Sequence, residues 1–112
     1  MIEYRIEPAE RSAFYQAIEP LQRLRLRDGA SRIGIFTDVA VPERQVEFFT
    51  VPTWGEHLRQ HYRFTKDDQR IEERVRKFHT GPEPPVVTHF VASVDEYQPE
   101  GEVLNFENLM DQ

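Results

Sequence analysis

The amino-acid sequence predicts an α+β fold in which helices cover one face of an antiparallel sheet. Residues 2–6 alternate apolar and charged side chains, as in a strand with one buried face. Apolar residues then recur at helical spacing at Phe14, Ile18 and Leu21. The full order of predicted elements is strand, helix, strand, strand, two helices and strand, which is the order of a split βαβ arrangement.

Proline and glycine mark the ends of the first two elements. Pro8 ends the first strand, and the helix that follows ends at Asp28-Gly29, where glycine can adopt a left-handed cap. Pro20 lies inside this helix. Because proline removes one backbone hydrogen bond, we expect it to kink the helix or to shift its start.

The next two strands are predicted at residues 31–38 and 44–51, joined by a hairpin connection that contains Val41-Pro42. Their alternation places bulky apolar side chains on both faces of the sheet. One face carries Ile33, Ile35, Val46 and Phe48, and the other carries Phe36, Phe49 and Val51. The helices can cover one of these faces, and the second face needs another cover.

Two consecutive helices are predicted at residues 53–63 and 66–79. Each begins at a threonine, Thr53 or Thr65, that is followed three residues later by an acid, as in a capping box. The second helix has a core stripe and two acid-to-base pairs at the preferred spacing. The stripe is Ile71, Val75 and Phe78, and the pairs are Glu72–Arg76 and Glu73–Lys77.

The last strand is predicted at residues 86–94, after a proline-rich linker, and it again has apolar groups on both sides. The fold class is therefore a ferredoxin-like βαββαβ arrangement with an antiparallel sheet. Because the second sheet face is too apolar for water, we expect two copies to pack sheet on sheet. The result would be a homodimer with the form of a dimeric α+β barrel.

Charge divides the 112 residues into a domain at 1–94 and an acidic C-terminal tail at 95–112. The net charge is −6, and six of the 20 acids and none of the 14 basic residues follow residue 94. The near-neutral domain argues against a nucleic-acid partner. The absence of cysteine and of a signal peptide indicates a cytoplasmic setting, and the lack of a long apolar run predicts no membrane contact by this chain.

The helix that starts at Thr53 carries the main candidate site. Five side chains fall on one stripe by helical spacing, namely Trp54, His57, Leu58, His61 and Tyr62. A His-x-x-x-His pair can chelate a metal, but Leu58 stands where zinc proteases have a glutamate. The sequence therefore favours the wall of an organic-ligand pocket over a metal site, and no cofactor is predicted.

The remaining histidines and the arginine runs have simpler interpretations. His79 at a helix end is favoured by the helix dipole, and His89 is predicted on the side of the last strand that faces the second subunit. Arg23, Arg25 and Arg27 are interpreted as a solvated helix face. The sequence shows no phosphate loop, nucleophile elbow or paired-carboxylate motif.

Residues 24–92 resemble the cytosolic C-terminal domain of the transmembrane secretion effector family, a branch of the major facilitator superfamily. The resemblance is carried by RDGA at 27–30, by W-x-E-H-L-R-Q-H at 54–61 and by RVRxFH at 74–79. That domain is in turn similar to the antibiotic biosynthesis monooxygenase superfamily, whose members form dimeric α+β barrels. The sequence lacks the membrane helices of the transporters.

The resemblance implies three alternatives for function. The first is a small-molecule-binding and dimerisation module, with a hydrophobic or aromatic ligand held by Trp54, His57, His61 and Tyr62. The second is a cofactor-independent monooxygenase of aromatic, polyketide-like substrates, in which Trp54 and His61 would be catalytic. The asparagine of catalytic members has no counterpart outside the tail. The third is haem or metal binding through His57 and His61.

Overall fold

The structure is a computed structural model that describes residues 1–93. The predicted tail at 95–112 and the side chains of residues 56 and 60–62 lie outside the described part. The strands are β1 (Ile2–Arg5), β2 (Ser31–Thr37), β3 (Arg44–Thr50) and β4 (Val86–Val87). The helices are α1 (Arg11–Arg27), α2 (Trp54–Arg63) and α3 (Lys66–Arg76), with a short 3₁₀ helix (Pro8–Glu10) before α1.

The four strands form one sheet in the order β2-β3-β1-β4, and all three neighbouring pairs are antiparallel. The first and third strands of the chain are therefore central, and the second and fourth are at the edges. This is the topology expected for the ferredoxin-like βαββαβ arrangement. The predicted α+β fold class is confirmed.

The core lies between the sheet and helices α1 and α3. Its fully buried apolar side chains are Tyr4, Ile6, Phe14, Ile18, Leu21 and Val75. Ile71 and Phe78 pack against this cluster, as the predicted stripe of the last helix requires. The rings of Phe14 and Phe78 meet edge to face with their centroids 6.2 Å apart.

The predicted assignment of side chains to the two sheet faces is wrong for the hairpin β2–β3. Thr37 pairs with Gln45, so Ile35 lies opposite Glu47 and Phe36 lies opposite Val46. Since residues that pair across strands share a face, Ile35 lies on the helix-covered side and Phe36 on the outer side with Val46. The register also shifts between residues 31 and 34, where Arg32 has a φ of 51°.

Strand β4 is much shorter than the predicted strand at 86–94. It contains only Val86 and Val87, which pair with Glu3 and Ile2, and the amide of Thr88 adds one bond to the carbonyl of Met1. Because β4 is antiparallel to β1, later residues run past Met1. They have no neighbouring strand within the described residues.

The helix ends follow their local signals. Gly29, with a φ of 99°, follows the last residues of α1, as predicted for a left-handed cap. The predicted capping box of α3 is present: Thr65 accepts from the amide of Asp68, and the Asp68 carboxylate accepts from the amide of Thr65. Helix α1 begins at Arg11 and continues through Pro20, so the proline does not delay its start.

Candidate functional site

A cavity of about 420 Å³ lies between the sheet and the helices. Leu24 of α1, Phe49 of β3 and Phe64 between α2 and α3 form its apolar wall. Its polar lining consists of Arg25, His57, Gln69, Glu72, Glu73 and Arg76, with Asp28 at the end of α1. The volume falls within the range of small-molecule sites, which is about 300–1,000 Å³.

Arg25, which lines the cavity, forms an ion pair with Glu47 of β3, whose side chain is 0% exposed. The guanidinium donates to the two carboxylate oxygens, from Nη2 at 3.3 Å and from Nε at 3.4 Å. The hydroxyl of Tyr4 donates to Oε1 at 3.4 Å. Burial raises the pKa of Tyr4, and the Glu47 carboxylate raises it further, so this phenol remains a hydrogen-bond donor.

Arg25 also lies over an aromatic ring of the cavity wall. Its Cζ is 4.7 Å from the centroid of Phe49, which is a cation–π distance. The sequence-based interpretation of the arginine run as a solvated face is therefore wrong at Arg25. The sequence pattern predicts that a charged side chain on an amphipathic helix is exposed to solvent. For Arg25 the pattern fails because its acidic partner, Glu47, lies on a strand further along the chain.

A second ion-pair network joins the end of α1 to the start of α3, beside the cavity. Arg27 donates from Nη2 to Asp68 at 2.9 Å and from Nε to Asp28 at 3.0 Å, so this arginine is also bound to protein groups. Hydrogen bonds from Arg27 and from the amide of Thr65 lower the pKa of Asp68, which is almost fully buried. The carboxylate remains charged and holds the two helices together.

Helix α3 presents acids and a base to the cavity. The predicted pair Glu72–Arg76 is present, with Nη2 and Oε1 2.9 Å apart. The predicted pair of Glu73 with Lys77 is not among the ion pairs of residues 1–93. The cavity thus combines aromatic walls with charged groups, most of which have an ion-pair partner in the protein, and this suits a ligand with both an apolar body and polar groups.

The predicted site residues of α2 divide into three groups. His57 is half-buried and lines the cavity. The Trp54 ring lies next to it, with ring centroids 5.0 Å apart, but Trp54 is 52% exposed and is at the edge of the site. The side chains of His61 and Tyr62 lie outside the described part of the chain.

His89 joins this group, although the sequence-based interpretation placed it on the side of a second subunit. Its ring centroid is 5.3 Å from that of Trp54 and 4.9 Å from that of His57. The pairing of Val87 with Ile2, whose side chain packs on the core, places this side of the segment toward the helices. The prediction was wrong because it assigned the two faces of the strand without knowing its partner.

His79 has a structural role, as predicted, but it acts through hydrogen bonds to backbone groups and not through the helix dipole. Its Nδ1 accepts from the amide of Arg5 at 2.9 Å, and its Nε2 donates to the carbonyl of Glu83 at 2.8 Å. Both ring nitrogens therefore tie the end of the α3 region to β1 and to the proline-rich linker.

Sequence reasoning missed several of the residues that shape the cavity. Phe49 and Phe64 were not assigned to the site, and Arg25 was assigned to solvent. One signal was available for Glu47: it alternates with Gln45 and Phe49 on one side of β3, so three consecutive side chains of that side are two polar and one aromatic. A polar pair on a strand of a small sheet indicates either an exposed face or a buried polar site.

A solved structure of another protein has a similar fold. The structure is similar to the crystal structure of a protein from Bordetella bronchiseptica, provisionally assigned as an antibiotic biosynthesis monooxygenase. The TM-score is 0.66 at 19% sequence identity, and the match covers 83% of this chain and 93% of the other. This similarity shows a fold like that of antibiotic biosynthesis monooxygenases.

The family follows from the sequence itself. Residues 1–97 match the family model of the transmembrane secretion effectors, and the chain belongs to that family. No curated protein sequence matches the chain. Within residues 1–93, no helix has both the length and the apolar character that a membrane span requires.

Proposed function

We propose that the chain is a small-molecule-binding and dimerisation module, and that its ligand occupies the cavity between the sheet and the helices. The observation that carries this proposal is the cavity of about 420 Å³ with its wall of Leu24, Phe49 and Phe64. A space of this size with apolar walls and a few convergent polar groups is typical of a binding site.

The lining also indicates the kind of ligand. The rings of Phe49 and Phe64 suit a hydrophobic or aromatic body, whereas Arg25 and His57 offer polar contacts at fixed positions. The Glu47 carboxylate holds Arg25 in place, which reduces the entropy lost when a ligand binds. We therefore expect an aromatic compound with oxygen substituents.

A thermal-shift screen tests the proposal. Aromatic polyketides, flavonoids and siderophores are added at increasing concentration, and a ligand of the native state raises Tm by mass action. Gln69→Trp places a large ring at the cavity lining and should abolish the shift, because Gln69 lines the cavity and is exposed enough to be replaced without disturbing the core.

Arg70→Trp is the matched control for this experiment. Arg70 is the next residue of α3, is exposed and does not line the cavity, so this variant should keep the Tm shift of the original chain. Equal loss of binding in both variants would contradict the location of the site, and a screen with no hit would contradict the binding proposal.

The second part of the proposal is that two copies pair through the outer sheet face. Phe36 is 59% exposed there, and Phe48 and Val46 lie beside it on the same face. A sheet face with these rings in water favours coverage by another protein surface. A second copy of the chain offers the same face and satisfies two-fold symmetry.

Sedimentation velocity tests the pairing. Phe36→Asp places a charge among the apolar side chains of the outer face, on the edge strand β2, and should convert the dimer to a monomer. Val39→Asp is the control, because Val39 is 96% exposed in the connection after β2 and is not part of the sheet. A monomeric original chain, or a dimer that persists in Phe36→Asp, would contradict this pairing.

Catalysis is not part of the proposal. Of the two residues that the resemblance implies for oxygenation, Trp54 is half exposed, and the side chain of His61 lies outside the described part. Oxygen consumption with anthrone-like phenols, lost in His61→Ala, would favour the monooxygenase alternative over binding alone. No oxygen consumption together with a Tm shift is the result that binding alone predicts.

A further inference from the structure

We propose that His57 and His89 form a site for a divalent transition-metal ion. Among the divalent ions of the first transition row, Cu²⁺ should bind most tightly. His57 lies on α2, and His89 lies two residues after the end of β4. The fold brings these residues together from separate elements, and their ring centroids are 4.9 Å apart. The site is distinct from the His57–His61 pair suggested by helical spacing.

The separation of the rings fits a shared ion. Imidazole nitrogens bind such ions at about 2.0–2.1 Å, which puts an ion about 3.2 Å from each ring centre. Two centres 4.9 Å apart then subtend an angle of about 100° at the ion. This angle lies between those of square-planar and tetrahedral coordination, the geometries of copper and zinc sites.

The angle between the rings permits a shared ion. A nitrogen lone pair lies in the plane of its ring, so an ion bound to both rings must lie on the line where the two planes intersect. The planes of His57 and His89 meet at 67°, which gives such a line. Parallel stacked rings would have none.

The neighbouring Trp54 shows that the site is open to solvent, and its fluorescence can report the binding of an ion. Its ring centroid is 5.0 Å from His57 and 5.3 Å from His89, and it is 52% exposed, so the cluster opens to solvent. No group of three or more histidine or acidic side chains is arranged to hold a metal within the described residues. Within the described residues the two histidines are therefore the protein ligands of the ion, and water can fill its remaining positions.

A fluorescence titration tests the proposal. Trp54 is the only tryptophan of the chain, and a Cu²⁺ ion bound within a few ångströms should quench its emission. His57→Ala and His89→Ala should each raise the apparent Kd for Cu²⁺ by about tenfold or more, since each removes one of two ligands and even the loss of a group that orients a ligand costs about 10–100-fold. His79→Gln is the control and should leave the Kd unchanged, because both ring nitrogens of His79 are hydrogen-bonded, to Arg5 and to Glu83.

Two further measurements keep the result decisive if a variant is unstable. Electron paramagnetic resonance of Cu²⁺ bound to the original chain should show two nitrogen ligands, and a single nitrogen would overturn the proposal. His89→Gln, which retains side-chain bulk, should bind as weakly as His89→Ala. An unchanged Kd in the His89 variants, with loss of binding in His61→Ala, would assign the ion to the pair on α2 and overturn the site.

Discussion

Replacing Arg25 with methionine should cause a large loss of stability, because it leaves the Glu47 carboxylate buried without its cation. Glu47 is 0% exposed, and its described partners are Arg25 and the hydroxyl of Tyr4. Removing one member of a buried ion pair costs about 3–5 kcal/mol.

The double variant Arg25→Met/Glu47→Met should recover most of this loss. Replacing both members of a buried pair with apolar side chains of similar volume is often neutral or stabilising, by about 1–4 kcal/mol. The two single variants and the double variant therefore form a cycle with a coupling energy of at least about 3 kcal/mol. The sign of the coupling energy means that the double variant is more stable than the sum of the two single losses predicts.

Urea unfolding at pH 7, followed by circular dichroism, measures all four proteins. We expect the free energy of unfolding to fall by about 3–4 kcal/mol in Arg25→Met and by only about 1 kcal/mol in the double variant, in which the Tyr4 hydroxyl loses its acceptor. Additive losses, with a coupling energy below about 0.5 kcal/mol, would refute the reasoning. They would mean that solvent reaches the carboxylate and that Arg25 is not held by it.

The remaining predictions concern the helix ends. Asp68→Asn should cost about 2 kcal/mol in urea unfolding at pH 7, because it weakens the capping box and the bond from Arg27. The folded state lowers the pKa of Asp68, so the stability that its carboxylate contributes is complete above the unfolded pKa of about 3.9 and is lost as the pH falls through the lower folded value. The variant and the original chain should therefore have similar free energies of unfolding in strong acid. A constant difference between them down to pH 2 would contradict this. Gly29→Ala should cost about 1–2 kcal/mol because of its φ of 99°. In Gly55→Ala the added Cβ meets only Thr53 Oγ1 at 3.7 Å, so this helical control should be neutral or more stable by up to about 1 kcal/mol.

The order and type of the elements could be predicted because their signals are local. The alternation at residues 2–6 and the threonine–acid pair at Thr65–Asp68 depend only on neighbours in the sequence, and both are confirmed. The face assignment of β2 and β3 failed because it depends on register. The connection between Thr37 and Gln45 sets that register, and the irregularity at Arg32 has no local signal.

The candidate site was predicted only where its residues are close in sequence. Trp54 and His57 were found from helical spacing, and their contact is present. The topology adds His89 and Arg25 to this region, through pairings that span the chain. Pattern reasoning also treats a charged residue as exposed, so the buried pair of Arg25 with Glu47 could be recognised only from the structure.

The most direct test of ligand binding in the cavity is a chemical-shift map of the ¹⁵N-labelled chain with the best compound of the thermal-shift screen. Binding in the cavity should move the backbone amide signals of Leu24, Phe49 and Phe64, which form its apolar wall, and leave that of Val46 on the outer sheet face in place. Shifts that centre on Val46, with none at the cavity wall, would contradict the proposed site.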